Sequence, residues 1–479
     1  MRRQMFTVIA ITVLFMPLLW LIGCAEGPTG VEEVTEEERA LARTRVTDAE
    51  NHLVNAVAIA MGEEELPDFT AANAAYKEAL TLDPGNLQAN FGAAVTEILS
   101  LLNDPDIRTV IDSLEAWTES GVFPMSPRYG EGASRVGQAK AVRSLPRLLF
   151  KTANTALSNP PLVHEVQEII ETELVPRIDY ALERLAILEG HPDFQYLLPP
   201  RMTAQPDTME VDLGEVYLLD ASLNILRVVA NLVTAYNLDF DKDGSYEYLE
   251  DEIAAARHFK YLIEDSPTFL TLRPGNRMRE VKSGLLTALD KAEGCLAFIR
   301  AETDPQDDDV IKVEMIAMMD EQIVPGDPEA PNFARAFDRP EDIIAELKKI
   351  LSGPYTLTED FDGDETTPDV PIIVDIAHIL DNPVQDLRTL LPYHAWLPEE
   401  QWGMVEGPPI YFTDEKGNPL DMMAEDFFPV FPDYTFGGLL PGMTREKFEA
   451  LIRWAFPEEE GFEKPVAGPP IALSFMIFG

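Results

Sequence analysis

Apolar positions recur along most of this chain at helical spacing. Met5 to Trp20 are almost wholly apolar and follow Arg2 and Arg3. That run is shorter than the ~20 residues needed to cross a bilayer. From Val31 to Gly62 the pattern becomes amphipathic and predicts one long helix, with a stripe through Leu41, Ala42, Val46, Leu53, Val57 and Ala60. Thr35 is placed to cap it, and Glu36, Glu37 and Glu38 suit the positive end of the helix dipole. Helical spacing returns over Leu87 to Leu102, Ile107 to Trp117, Gly137 to Leu157, Leu162 to Leu188, Val216 to Asn237, Leu249 to Ile263 and Arg277 to Arg300. Gly121 to Ser134 reads as a loop. Between Phe194 and Leu213, Pro199, Pro200 and Pro206 break the period, which predicts a long loop or short strands.

After about Asp304 the texture changes. Prolines, aspartates and aromatics become frequent, and helices shorten to pieces such as Pro340 to Leu351 and Arg445 to Phe456. Trp402 to Phe412 and Tyr434 to Pro441 read as ordered, irregular chain that packs through its aromatic rings. The apolar tail Ile471 to Phe478 reads as a strand, buried or awaiting a partner. The expected fold is mainly α: a helical array over 31–303 and an irregular region, rich in proline and aromatics, over 304–479.

A basic start, a short apolar core and small residues before a cut site read as a secretory signal. Its end, Leu21-Ile22-Gly23-Cys24, resembles the lipobox of bacterial lipoproteins. The resemblance implies a signal peptide over 1–23, removed before Cys24, and acylation of that cysteine. Residues 24–30 then form a short tether. Ala25 stands where, in that family, an aspartate favours retention in the inner membrane; its absence implies the outer membrane. Each buried methylene of an acyl chain adds ~0.8 kcal/mol, so two or more chains anchor stably.

The clearest repeat-like piece contains Phe69, Ala72, Tyr76, Ala79 and Pro84. Small alanines allow a neighbouring helix close, Tyr76 fills the gap between them, and Pro84 stops the helix. This order of aromatic, small, aromatic, small and proline resembles the second helix of a tetratricopeptide repeat (TPR). Leu87 to Leu102 resemble the first helix of a following repeat, with Ala93 and Ala94 at the close-packing positions. No matching helix and proline lie one period, ~34 residues, further on, so the resemblance covers roughly Leu53 to Leu102.

One segment has metal-ligand spacing. Asp239, Asp241, Asp243, Gly244, Ser245, Glu247 and Glu250 satisfy a calcium-loop pattern at every defining position. Ca²⁺ takes six to eight hard oxygens. Alternating aspartates supply three, Ser245 a backbone carbonyl, Glu247 a water-mediated contact and Glu250 two oxygens. Gly244 permits the tight turn. The loop resembles an EF-hand, although Tyr246 stands where that family usually has a branched aliphatic residue. A solitary loop of this kind outside the cell implies a structural ion. Thr358 to Asp369, with Asp360, Asp362 and Asp364, begins with threonine and ends with aspartate, and reads as an acidic turn before a second site. Asp304, Asp307, Asp308 and Asp309 read as a solvated loop.

Charge narrows the partners. Lysine and arginine number 37 against 84 aspartates and glutamates, for a net charge of −47. Phosphate backbones are repelled, so nucleic acid is excluded as a partner. A 46% hydrophobic chain can bury a core and is long enough for two or three domains. With Cys24 acylated, Cys295 has no partner within the chain and reads as a buried, inert thiol. The six histidines are scattered, and His164-Glu165 lacks the second histidine of a zinc-protease helix. No nucleophile elbow, phosphate loop or dinucleotide fingerprint occurs. The expected function is therefore non-enzymatic: an envelope lipoprotein acting as a TPR-like scaffold for a protein partner. The alternative is a glycan- or nutrient-binding outer-membrane lipoprotein working with a transporter. Some glycan-binding lipoproteins also combine a lipidated cysteine, tetratricopeptide helices and bound calcium.

Overall fold

Helix α1 (Glu36–Gly62) begins directly after Thr35. Glu38 N donates to Thr35 Oγ1 at 3.2 Å, and Thr35 N donates to Glu38 Oε2 at 2.8 Å. This reciprocal capping box starts the helix at Glu36 rather than at Val31, because Val34 and Thr35 are held outside it. Ala42, Val46, Ala49, Leu53 and Ala56 form its buried face. Leu41, expected on that face, is 46% exposed, and the stripe runs instead through Ala49 and Ala56.

The computed structural model describes residues 34–62, 67–108, 162–203, 207–239, 252–302, 310–313, 315–317, 339–357, 371–404, 409–421 and 427–455. Cys24 and the leader, most of Ile107 to Trp117, Gly137 to Leu157, Asp304 to Asp309, Thr358 to Asp369 and the apolar tail lie outside them. The described chain is mainly helical, as expected.

Helices α2 (Thr70–Leu82) and α3 (Leu87–Ser100) follow α1 and share its core. Asn86 caps α3, its Oδ1 accepting from Ala89 N at 2.9 Å. Helix α4 (Val163–Ile169) continues through a π-helical turn (Ile170–Leu174) into α5 (Val175–Leu188). Pro176 has no N–H to give to the helix, and the wider turn precedes it. A hairpin of β1 (Tyr196–Leu198) and β2 (Met209–Val211) then fills the proline-rich break. Helix α6 (Leu213–Ala235) opens on a capping box made by Asp212 and Glu215. Helices α7 (Glu252–Glu264), α8 (Arg277–Ala301), α9 (Pro340–Ser352) and α10 (Ile376–Asp381) complete the body.

Packing is largely serial. Helix α1 lies on α2, α2 on α3, α3 on α5, α5 on α6, α6 on α8, and α8 on α9 and α10. The α6–α8 contact is the most extensive and needs a small residue at its crossing. A Cβ on Gly284 would lie 2.8 Å from Val228 Cγ2. Helix α6 is long and apolar enough to cross a bilayer. Its Asp220, Asn224 and Asn231 are nevertheless buried, and it packs against both α5 and α8 as a core helix.

The C-terminal region is built from small pieces, in line with its sequence. Hairpin β3–β4 pairs Tyr355–Leu357 with Ile372–Val374, and hairpin β5–β6 pairs His394–Trp396 with Ile410–Phe412. Phe431, Tyr434, Phe436 and Phe448, the last on α11 (Arg445–Ala455), pack ring to ring with centroids 5.3–5.8 Å apart.

Candidate functional site

Besides Cys24, which lies outside the described residues, two regions carry site assignments from the sequence, and the described residues include every named residue of the first and Asp239 of the second. The first is the repeat-like unit. Phe69, Ala72, Tyr76 and Ala79 are buried, with Tyr76 fully enclosed. Pro84 sits in the exposed turn between α2 and α3. Tyr76 packs on Gly92 of α3, where a Cβ would come within 2.2 Å of the ring. The close-packing position is thus Gly92, beside the Ala93 and Ala94 expected there. A glycine inside a helical pattern was the available signal.

Tyr76 Oη and Tyr196 Oη hydrogen-bond at 2.9 Å. Tyr196 also engages the Glu50 carboxyl of α1, so the first hairpin closes onto two helices far away in sequence. Burial pushes the Tyr196 phenol up to about 12 and raises Tyr76 further. Both therefore remain O–H donors at any physiological pH. Phe91 flanks Tyr196 with centroids 4.8 Å apart. On the outer side of the unit, the buried Asn73 donates to Glu97 Oε2 at 2.9 Å, and Lys77 pairs with the same carboxylate. The Lys77 amine lies 4.7 Å from the Tyr180 ring centroid, and Arg184 lies 5.2 Å from it.

The second region is the calcium-loop pattern. Helix α6 leads into it and ends at Ala235, two residues before the expected Asn237. Carbonyls at this end find partners outside the helix. Gln167 Nε2 donates to Val233 O and Tyr236 O, each at 2.7 Å, and Arg273 N donates to Ala235 O at 2.9 Å. Arg273 itself is held by Glu171 of the π turn, which also pairs with Arg277 at 2.7 Å. Leu238 then packs with Val163, Val166 and Ile170. Asp239, the first position of the pattern, donates its N to Asn237 Oδ1 at 2.9 Å, and its Oδ1 lies 3.3 Å from His164 Nδ1.

Asp241, Asp243, Ser245, Glu247 and Glu250 lie outside the described residues. Among the described residues no three His, Cys, Asp or Glu side chains converge as a metal site. Helix α7, which follows the loop, is docked on the C-terminal region. Arg257 pairs with Glu399 at 3.1 Å, Phe259 meets Trp396 with centroids 6.1 Å apart, and a Cβ on Gly403 would lie 3.1 Å from Ile253 Cδ1. The chain before residue 240 and the chain after residue 251 are thus anchored to separate parts of the fold. The Gln167 cap and the His164–Asp239 pair have no local signature, since each joins positions roughly seventy residues apart.

No protein-family model matches this chain, and neither a curated protein nor a solved structure matches it.

Proposed function

We propose that this chain is a non-enzymatic cell-envelope lipoprotein whose helical array presents a TPR-like scaffold to a protein partner. Largely serial packing through α1, α2, α3, α5, α6 and α8 carries this reading, because stacked helical pairs make extended surfaces suited to protein binding. The Tyr76–Gly92 contact supports the TPR-like assignment of α2 and α3. A lipid on Cys24 holds the array close to the outer membrane, since α1 starts only a short tether away. Cys24→Ala should abolish membrane association while leaving the far-UV circular dichroism unchanged. Continued fractionation of that variant with membranes sinks the anchor.

In this reading Asp239, Asp241, Asp243, Ser245, Glu247 and Glu250 hold a structural Ca²⁺. The anchored ends of α6 and α7 favour the site by limiting the ordering that the ion must impose. At about 100 times its dissociation constant, Ca²⁺ should add ~2.7 kcal/mol to stability. The melting temperature should rise with Ca²⁺ and fall back on chelation. A Glu250→Gln variant with an undiminished Ca²⁺ response would remove this loop from consideration.

The alternative, a glycan- or nutrient-binding lipoprotein that works with a transporter, draws on one observation. The Trp396 ring lies against Phe259 and Trp402, with centroids 6.1 and 5.9 Å apart. Aromatic faces are the usual platforms for sugar rings. Pull-down from solubilised envelopes separates the two readings: an outer-membrane transporter in the eluate supports the second, and a non-transport protein supports the first.

A further inference from the structure

Lys291 of α8 lies at a junction of three elements. Its side chain is only 13% exposed. Glu189, which closes α5, contacts its Nζ, and Asp220 Oδ2 of α6 lies 3.5 Å away. The Asp220 side chain is 4% exposed. Asn224, one turn further along α6, donates its Nδ2 to Asp220 Oδ1 at 2.7 Å. The Tyr217 ring centroid lies 5.9 Å from the amine. The neighbouring charges on α8, Asp290 and Glu293, both pair with Lys348 of α9, at 3.0 and 2.8 Å. Two carboxylates therefore share one cation in a nearly dry site. A surplus buried charge is costly, and a proton is the simplest way to remove it.

We propose that Glu189, Asp220 and Lys291 form an acid-tightened clasp, in which Asp220, crowded by Glu189, takes up a proton and the three residues bind α5, α6 and α8 more firmly in that state. Burial is the largest influence on Asp220 and raises it; Lys291 opposes this, and Glu189 adds to it. The same two carboxylates keep the Lys291 amine protonated against its own burial. A carboxyl raised in the folded state binds a proton that the unfolded chain has already released. The clasp therefore contributes fully below the ordinary carboxylate range and loses its contribution as pH rises through the raised value. Over that window the folding equilibrium changes by up to tenfold per pH unit.

Carboxyl-detected NMR titration and urea unfolding across pH 5 to 8.5 test the clasp on the full chain. Asp220→Asn and Glu189→Gln each leave one carboxylate per amine. In the wild type, one carboxyl at this junction should titrate near neutral pH. That titration should vanish in Asp220→Asn and move to lower pH in Glu189→Gln, and the pH slope of the unfolding equilibrium should fall, by as much as tenfold per unit in Asp220→Asn. Should Asp220→Asn fail to fold, Glu189→Gln decides by the same readouts, because Glu189 is the more exposed of the two. Lys291→Met removes the cation and should move the titration to higher pH. Wild-type titration and slope retained in the carboxylate variants would overturn the clasp.

Discussion

Tyr76→Ala should lower the folding free energy by ~3–5 kcal/mol, the range for removing a fully buried aromatic ring. The upper end is expected, because the space it leaves cannot close easily. Gly92 lies beneath the ring and has no side chain to move into the cavity. Ala72 and Ala79, buried in the same core, carry only a methyl group each. The Tyr196 hydroxyl would also lose its partner at 2.9 Å. Tyr76→Phe isolates that last effect and should cost about 1 kcal/mol, since Tyr196 keeps its bond to Glu50. Urea unfolding measures both variants. A Tyr76→Ala loss under 1 kcal/mol would show that the ring does not hold α2 against α3.

The second large effect concerns Glu215 at the start of α6. Its Oε2 accepts from Asp212 N at 3.0 Å, and its Oε1 accepts from Ile311 N at 2.8 Å. The residue thus joins the capping box to a distant segment. Burial pushes its carboxyl up to about 8, opposed in part by the two backbone donors and assisted by the neighbouring Asp212 carboxyl. Between the ordinary glutamate value and that raised value, the folded chain holds a proton that the unfolded chain lacks. Stability from this group is therefore complete at low pH and declines as pH rises through about 8. Lowering the pH from 8 to 6 should raise the urea midpoint, although acidification unfolds many proteins. Glu215→Gln should remove this contribution to the slope and also destabilise the protein at every pH. Its amide N–H₂ would face one of the two backbone donors, and leaving a buried donor unpaired costs ~1–3 kcal/mol. Denaturant titrations at pH 6 and pH 8 give both numbers. An unchanged slope with an intact fold would reject the assignment.

Much of the helical body was legible in the apolar period. Helix α8 was expected over Arg277 to Arg300 and spans Arg277–Ala301, and α9 was expected over Pro340 to Leu351 and spans Pro340–Ser352. Both carry long amphipathic patterns, and Pro340 suits a first turn because its missing N–H is not needed there. The apolar period starts at Val216, three residues after α6 begins at Leu213, because the capping box, Asp212 to Glu215, precedes the first clear apolar spacing. Three-residue strands such as Tyr196–Leu198 are too short for a two-residue period to register. The spacing of Asp239 to Glu250 is a local property of the sequence. The contacts that hold the chain before it are not, because Gln167 and His164 meet α6 and Asp239 only through tertiary packing. The Tyr76–Tyr196 bond, across 120 positions, is hidden for the same reason.

The packing of α6 on α8 has a kinetic consequence. Cys295 lies within that core at 6% exposure, and burial pushes its thiol up to about 12. At neutral pH only roughly one part in 10⁵ is thiolate, the form that attacks a disulfide reagent. The closed protein should therefore react with a thiol-labelling reagent extremely slowly, and nearly all labelling should pass through transient separation of these two helices. With excess reagent and fast reclosing, the labelling rate reads out the population of that opened state. Cys295 thus serves as an internal clock for how often the centre of the array comes apart.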